Sequence, residues 1–388
     1  MQFKDIVGQE ALKKKLIHMV QSNRVSHAQL FLGPTGTGSL ALAIAYAQYL
    51  NCENKQESDS CGSCSSCRKY NKLIHPDLHF SYPFFAKKKD ETAMDYIEQW
   101  RSIFLKNPYL SLDNWRHHLG EETKQANINI AECHQIIKKL SLKSFEGDFK
   151  VLIMWLPEFL DKQGNALLKL IEEPPTNTLF LLVAENQDQI LTTILSRTQL
   201  IKVNKLKENE VSEYLILKEG LNEERAKQIA YISDGNIQKA QALVGVEKDG
   251  KESKLNHLDL IKTWMNACVT DNGLNIIDFV ENRIAKLGRE NQKSFLLYAI
   301  NMMREAMLLK ENLHQLVFLP EAEMIFADKF SNRYNLIQLE AVVDEFEKAS
   351  YHIERNANPK ILFLDVSLQI VLFLRYQTLP KGTQYIYS

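Results

Sequence analysis

The chain has 388 residues, of which 45% are hydrophobic and 24% are charged, as in a water-soluble protein with more than one domain. Its formal net charge of −1 gives no overall attraction to nucleic acid or to an anionic membrane. The N-terminus lacks the layout of a secretion signal, and the apolar stretch 361–374 is shorter than the roughly 20 residues that span a bilayer. These features predict a cytoplasmic protein with no membrane segment.

Short apolar runs alternate with helical patterns in the first half of the chain. An amphipathic helix is predicted within residues 6–24, and the apolar runs follow it at 28–32, 77–82, 151–155, 179–184 and 200–203. Strands that alternate with helices indicate a parallel sheet covered by helices on both faces. The expected fold class of this half is therefore α/β.

The first apolar run leads into a glycine-rich stretch, FLGPTGTGSLALA, and then into an alanine-rich helix. Gly33, Gly36 and Gly38 match a phosphate-binding P-loop, whose pattern is G-x-x-x-x-G-K-[ST]. Ser39 and Leu40 stand where that pattern has the lysine that neutralises phosphate and the hydroxyl that binds Mg²⁺. Backbone amides alone hold an anion weakly. The sequence therefore predicts a degenerate P-loop with weak or no nucleotide binding.

Four cysteines follow this helix in the pattern C-x8-C-x2-C-x2-C, on a short polar segment. They are Cys52, Cys61, Cys64 and Cys67. Four thiolates at this spacing suit a tetrahedral structural zinc ion, which would leave no open coordination position. The alternatives are unliganded thiols and an iron–sulfur cluster, although the ferredoxin motif continues to a cysteine followed by proline. Structural Zn²⁺ at about residues 52–67 is the prediction.

A working P-loop ATPase also needs an acidic pair at the end of an apolar strand. The candidate strand, 151–154, ends in Trp155-Leu156-Pro157, so no carboxylate occupies that position. Glu158, further on, is an acid of the kind that starts a helix. Together with the missing lysine, this second loss predicts a loop that does not hydrolyse ATP.

After the fifth apolar run the strand patterns stop. Residues 206–248 predict a small helical bundle that is interrupted at Gly220 and at Asp234-Gly235. The polar stretch 246–254 is the best candidate for a linker. Residues 249–388 predict long helices almost throughout.

Several motifs together resemble the AAA+ clamp-loader subunits of bacterial DNA polymerase III, and within that family the delta-prime subunits. Besides the four cysteines, the matching stretches are FKDIVGQE at 3–10, HAQLF at 27–31, HPDL at 75–78, NALLKLIEEPP at 165–175, TILSRT at 193–198 and ERNANPK at 354–360. They cover most of the chain except 86–127, a charged and aromatic insertion to which the sequence assigns no role.

The resemblance implies an architecture and a set of partners. It implies an AAA+ P-loop domain at 1–205 that carries the zinc module, an all-α lid at 206–248 and an all-α oligomerisation collar at 249–388. The implied partners are the gamma/tau ATPase subunits and the delta subunit in a hetero-pentamer. Through that complex the chain would contact the sliding clamp and primed DNA.

The resemblance also implies a role for Arg197. In clamp loaders ATP lies at a subunit boundary, and the neighbouring subunit inserts an arginine finger toward the γ-phosphate. Ser196 and Arg197 match that motif, with Thr198 in place of the family's cysteine. Ala184-Glu185 and Gln238 stand where ATP-binding relatives have nucleotide sensors. The implied function is a non-hydrolysing, delta-prime-like subunit that supplies Arg197 in trans; the alternative is a divergent ATPase in which another basic residue replaces the lysine.

Overall fold

The structure is a computed structural model, and it describes residues 1–88, 90–121, 124–249, 257–317, 319, 321–355 and 357–376. The chain divides into two compact units, Met1–Asp249 and Gly250–Ser388. Among the described residues, no helix combines the length and the apolar character needed to cross a bilayer.

A parallel sheet of five strands forms the centre of the first unit. The strands are β1 Ala28–Leu32, β2 Leu78–Ser81, β3 Lys150–Trp155, β4 Thr178–Ala184 and β5 Gln199–Lys202. Their spatial order is β2-β3-β4-β1-β5, and every neighbouring pair is parallel. Each of the five predicted runs is therefore a strand, and the predicted parallel sheet is confirmed.

Both faces of the sheet are buried at its central strands β3 and β4. Successive side chains of a strand point to opposite faces. Val151 and Ile153 of β3 belong to one apolar cluster, whereas Leu152 and Met154 belong to another. Other strands contribute to both clusters, and helical residues such as Ile44 on one face and Ile136 on the other pack against them. The predicted covering of both faces is confirmed.

The α-helices of the first unit connect and flank these strands. In chain order they are α1 Glu10–Gln21, α2 Ser39–Leu50, α3 Ser65–Asn71, α4 Ile97–Lys106, α5 Leu112–Leu119, α6 Ile130–Ser141, α7 Leu168–Glu172, α8 Thr192–Leu195, α9 Glu208–Glu219, α10 Glu223–Ser233 and α11 Ile237–Asp249. Short 3-10 helices lie at Phe3–Asp5, Ala93–Tyr96, Pro157–Leu167 and Gln187–Gln189. The helix predicted within 6–24 is shorter than expected, because Gly8 and Gln9 have positive φ angles and α1 begins only after them.

The insertion 86–127 is part of the core of this unit. Trp100 on α4 and Trp115 on α5 are both fully buried. The ring of Trp100 stacks on Tyr82 with centroids 4.1 Å apart, and it also contacts Trp155 at the end of β3. The indole N–H of Trp115 donates to the carbonyl of Pro83 at 2.8 Å. The insertion therefore extends the apolar layer beside β2 and β3.

Helices α9, α10 and α11 have a small apolar cluster of their own. The predicted interruptions are present, since Gly220, Asp234 and Gly235 all have positive φ and separate the three helices. The linker predicted at 246–254 is wrong at its start, because α11 continues to Asp249. Residues 250–254 of that stretch lie outside the described residues.

All regular elements in the described part of the second unit are helices. Its α-helices are α12 His257–Thr270, α13 Gly273–Asp278, α14 Arg289–Lys310, α15 Glu321–Arg333, α16 Leu336–Glu354 and α17 Pro359–Leu374, with a π-helix at Phe279–Ile284 and a 3-10 helix at His314–Leu316. Trp264 lies at the centre of its core, stacked on Phe279, and its indole N–H donates to Ser367 at 2.8 Å.

Candidate functional site

The glycine loop lies between β1 and α2, at the carboxyl edge of the sheet. A Cβ on Gly33 would lie 2.5 Å from the carbonyl oxygen of Val203, so only glycine fits at that position. Gly36 and Gly38 have φ angles of +78° and +86°, in the left-handed region that favours glycine. The three glycines are therefore needed for the strand-to-helix turn itself, whether or not the loop holds a ligand.

The two residues after the glycines are turned into the protein. Ser39 is only 8% exposed, and its hydroxyl lies 3.2 Å from the hydroxyl of Thr37. Leu40 is buried in the main core beside the other apolar residues of α2. Neither side chain carries a charge, and Leu40 has no atom that could ligate a metal ion. The turn keeps its backbone shape but has no cation to offer a phosphate.

Helix α11 packs directly against this loop. Its first amide, on Ile237, donates to the carbonyl of Gly36 at 3.1 Å. The preceding residue, Asn236, places its side-chain oxygen where a Cβ on Gly36 would be, at 1.9 Å. The same oxygen accepts the amide N–H of Lys239 at 3.0 Å. The space above Gly36 is thus filled by the start of α11.

Tyr109, from the insertion, covers the last glycine of the loop. A Cβ on Gly38 would meet the ring of Tyr109 at 3.1 Å. The hydroxyl of Tyr109 accepts the amide N–H of Val7 at 2.9 Å. This ring therefore lies between the loop, the N-terminal segment and the helices that follow the sheet.

The end of β3 carries apolar side chains where an ATPase has acids. Trp155 and Leu156 are both buried. The next carboxylate along the chain, on Glu158, accepts the amides of Glu185 and Asn186 at 2.6 and 2.8 Å. Burial raises the pKa of Glu158, and these two amides oppose the shift. Oε1 of Glu158 therefore holds the residues after β4.

Arg197 follows α8 and precedes β5. Its guanidinium donates to Oε1 of Glu172, to the carbonyl of Thr193 at 2.8 Å and to the hydroxyl of Ser196 at 3.1 Å. Ser196 in turn donates to the carbonyl of Thr193 at 3.1 Å. The predicted pair Ser196 and Arg197 is thus one hydrogen-bonded group at the surface.

Arg197 and the glycine loop lie at opposite ends of the neighbouring strands β5 and β1. In the parallel pair β1 and β5, Gln29 is opposite Gln199 and Leu32 is opposite Lys202. The loop follows the carboxyl end of β1, whereas Arg197 precedes the amino end of β5. Four paired residues span about 10 Å of strand. The arginine is therefore separated from the loop of its own chain by the length of these strands.

The four predicted cysteines come together after α2. Their sulfur atoms all lie within 4.8 Å of one another, and Cys61 and Cys67 are 3.9 Å apart. The amides of Cys61, Cys64 and Cys67 each donate to a cysteine sulfur at 3.3 Å. Amides that point at sulfur favour thiolates, and four thiolates this close suit a tetrahedral ion such as Zn²⁺.

The cysteine segment also anchors the start of the chain. The carboxylate of Asp59 accepts the amides of Phe3 and Lys4 at 3.1 and 3.0 Å. The side-chain amide of Gln2 donates to the carbonyl of Ser60. A metal ion bound by these cysteines would therefore stabilise the segment that holds the N-terminal residues against α2.

Comparison with known protein families assigns most of the first unit. Residues 8–207 match the family described as DNA polymerase III, delta subunit, over just more than half of the chain. The chain belongs to this family.

Named relatives of this DNA polymerase III family member carry more than one subunit name. The gamma subunit of Buchnera aphidicola is 27% identical over 248 residues, which is 62% of this chain and 57% of that protein. The delta' subunit of Yersinia pestis is 29% identical over 187 residues, 47% of this chain and 43% of that protein. The chain thus spans about half the length of these relatives. The solved Bacillus subtilis clamp loader delta protein aligns over 93% of this chain and 99% of that chain, with 13% identity and a TM-score of 0.31.

Sequence reasoning on this family member missed two residues at the glycine loop. Asn236 lies two residues before Gln238, and Tyr109 belongs to the insertion that had no assigned role. Contacts between residues so far apart in the chain leave no local signal. Gly33, Gly36, Gly38 and Ser39 do lie together, as do the four cysteines, and Ser196 and Arg197 form a separate group.

Proposed function

We propose that this chain is a non-hydrolysing, delta-prime-like subunit of the DNA polymerase III clamp loader. It completes a hetero-pentameric ring with gamma/tau ATPase subunits and a delta subunit. Within that ring it presents Arg197 to the ATP of an adjacent gamma/tau subunit while the sliding clamp is loaded onto primed DNA. Helices α9 to α11 serve as the lid and the second unit as the oligomerisation collar.

The observation that carries this proposal is the position of Arg197 across the sheet from the glycine loop. An arginine that stabilises the γ-phosphate must approach within hydrogen-bonding distance of it. Arg197 is separated from its own loop by the length of β5, so a phosphate that it serves belongs to another subunit. Similarity to a gamma subunit supports a gamma/tau subunit as that neighbour.

The residues at the loop support the absence of ATP turnover. Ser39 and Leu40 replace the lysine and the metal-binding hydroxyl, and Trp155 and Leu156 replace the acids at the end of β3. Asn236 fills the space above Gly36. Phosphoryl transfer requires a cation to neutralise the phosphates, a ligand for the metal ion, an acid to activate water and space for the nucleotide. Each of these changes removes one of those requirements.

A second candidate, a divergent ATPase, is favoured by the similarity to a gamma subunit over 62% of the chain. Calorimetry with ATP and Mg²⁺ on the purified full chain separates the two. Absence of binding and turnover is expected here. Tight binding with turnover would establish the ATPase and remove the scaffold role.

The cysteine cluster is proposed as a structural zinc centre. The residues Cys52, Cys61, Cys64 and Cys67 fit such an ion by number, type and spacing of their sulfur atoms. When bound, zinc would cross-link a segment that has little apolar core of its own. No reaction step is assigned to it.

The membership of the complex is tested by reconstitution. The full chain is mixed with gamma/tau and delta subunits and separated by size-exclusion chromatography, and clamp loading is then measured on primed DNA. A defined complex whose clamp loading requires this chain is expected. Failure to join the complex under conditions in which the other subunits assemble would contradict the proposal.

A further inference from the structure

Part of the insertion connects the glycine loop to helices α9, α10 and α11. This strap, defined as residues 107–114, runs from the end of α4 into the first turn of α5. The family resemblance does not include it, and the proposed arginine role does not use it. Its contacts nevertheless converge on the place where a P-loop protein holds nucleotide.

The apolar contact of the strap is made by Tyr109. This side chain is only 4% exposed, and it belongs to the apolar cluster of α9 to α11 rather than to the cluster of its own neighbours on α4 and α5. Its ring centroid lies 6.1 Å from that of Tyr214 on α9. Its ring also covers Gly38, and its hydroxyl accepts the amide of Val7. One aromatic ring thus bridges the loop, the N-terminal segment and the three helices.

The strap also makes polar contacts to α11. The amide group of Asn107 donates to Oε1 of Gln241 at 2.9 Å. The amide group of Gln238 donates to the hydroxyl of Ser111 at 2.7 Å and to Oδ1 of Asn114 at 2.9 Å. Ser111 and Asn114 also form the capping box of α5, so their positions are fixed by that helix. The strap therefore holds two successive turns of α11 at defined points.

A ligand bound between two parts of a protein stabilises the arrangement in which both parts contact it. In a nucleotide-binding P-loop protein that ligand is the nucleotide. Here Asn236, Ile237 and Tyr109 contact the loop directly, and Gln238 bonds to the strap instead of a phosphate.

We propose that the strap takes the structural place of nucleotide and holds α9 to α11 closed on the glycine loop in a nucleotide-independent state. The inference rests on contacts within one chain. It deepens the proposed function, because it explains how a subunit without ATP keeps its lid fixed, and it does not depend on the role of Arg197.

Hydrogen exchange measured by mass spectrometry on the full chain tests the strap. In the wild type we expect exchange in α9 to α11 to be unchanged, within about twofold, when ATP and Mg²⁺ are added, because a ligand that does not bind gives no protection. For Tyr109→Ala we expect exchange in α11 to be faster by roughly 100-fold, the opening expected when a fully buried aromatic side chain is truncated. For Gln238→Ala, which loses hydrogen bonds without opening a large cavity, roughly tenfold is expected.

Matched variants separate the strap from general unfolding. Leu217→Ala changes a side chain on α9 that is 81% exposed, and it should leave exchange in α11 unchanged. Peptides of β3 and β4 must remain protected in Tyr109→Ala, because their exchange reports unfolding of the whole unit. If they lose protection, Tyr109→Phe and Gln238→Ala test the strap instead, since both variants keep the apolar packing.

Two results would overturn the inference. Wild-type exchange rates in α11 of both Tyr109→Ala and Gln238→Ala would mean that the strap does not hold the helix. Slower exchange in wild-type α11 on adding ATP would mean that nucleotide is the bridge. The role of Arg197 is measured by ATP hydrolysis in the assembled complex, and its loss leaves hydrogen exchange in the isolated chain unaffected. The strap proposal and the arginine proposal can therefore fail separately.

Discussion

Arg197 donates from Nε and from a terminal nitrogen to the same carboxylate oxygen, Oε1 of Glu172. The two side chains are 34% and 45% exposed. An ion pair this open to water contributes about 0–1 kcal/mol to stability. The pair therefore orients the guanidinium without locking it, so that an incoming phosphate can compete for the same nitrogens.

Replacing Arg197 by alanine should lower ATP hydrolysis by the assembled clamp loader. If the side chain serves a neighbouring γ-phosphate, the loss at that one site is on the order of 10³-fold. Single-turnover hydrolysis in the reconstituted complex measures it, with Arg24→Ala, an exposed arginine on the same unit, as the control. Normal assembly combined with undiminished hydrolysis at every site would exclude the finger role.

Replacing Glu172 by glutamine should change the free energy of unfolding by less than about 1 kcal/mol, because the pair is exposed and glutamine keeps an acceptor. Urea denaturation of the full chain measures this change. A loss above about 2 kcal/mol would show that the pair is a structural element of the fold and not a resting position of the arginine.

Purified protein should contain one Zn²⁺ ion per chain, and Cys64→Ala should lose it. Three remaining thiolates bind zinc far more weakly than four, and the segment loses the cross-link that orders it. Elemental analysis and exchange protection of residues 52–67 report the two effects. Cys133→Ala, which removes a buried cysteine of α6, should keep the metal. Full metal content in Cys64→Ala would refute the four-thiolate site.

Stability should fall as the pH is lowered from about 6.5 to about 4, in part through His79. Burial, helped by Lys139 and Lys150 and opposed by Asp77, lowers the pKa of His79 to about 4. Between these pH values the unfolded chain binds a proton that the folded chain does not, so unfolding is favoured as pH falls. After allowance for its partial exposure, the loss is roughly 2 kcal/mol.

His79→Gln should remove that part of the pH dependence, whereas His18→Gln, on the exposed face of α1, should retain it. Burial also lowers the pKa of His75, so some dependence of the same sign remains in either variant. Identical pH profiles for wild type and His79→Gln, measured by denaturation between pH 4 and pH 7, would contradict the assignment.

Replacing Trp100 by alanine should cost about 3–5 kcal/mol, because the side chain is fully buried between Tyr82 and Trp155. Leu105→Ala on the exposed side of the same helix should cost less than about 0.5 kcal/mol. Thermal and urea unfolding compare the two. Equal small losses would mean that the insertion is an appendage and not part of the core.

The central strands β3 and β4 could be predicted from sequence because they are buried on both faces and read as nearly uninterrupted apolar runs. The edge strand β5 is buried only at Ile201. In β3, KVLIMW, the polar residue stands only at the start. The cysteine cluster could be predicted for a similar reason, since its ligands lie within sixteen residues of one another and their spacing alone nearly specifies the geometry.

The contacts around the glycine loop could not be predicted, because they join distant parts of the chain. Tyr109 is 102 residues from its hydrogen-bond partner Val7, and Asn236 is further still from Gly36. An aromatic residue in an insertion predicts burial but not a partner. Ser39 and Leu40 indicate from sequence that the loop lacks the lysine and the metal-binding hydroxyl. The contacts of Asn236 and Tyr109 with the loop are visible only in the folded structure.

The packing of Asn236 against Gly36 also bears on whether a substitution that restores the P-loop lysine would allow nucleotide to bind. Ser39→Lys alone would put an ammonium group at a position that is 8% exposed, with no phosphate to pair with it. Nucleotide would still meet Asn236 and Tyr109 over the glycines. Under the proposed function, ATP binding would need simultaneous change in α2, in the insertion and before α11, which no single substitution supplies.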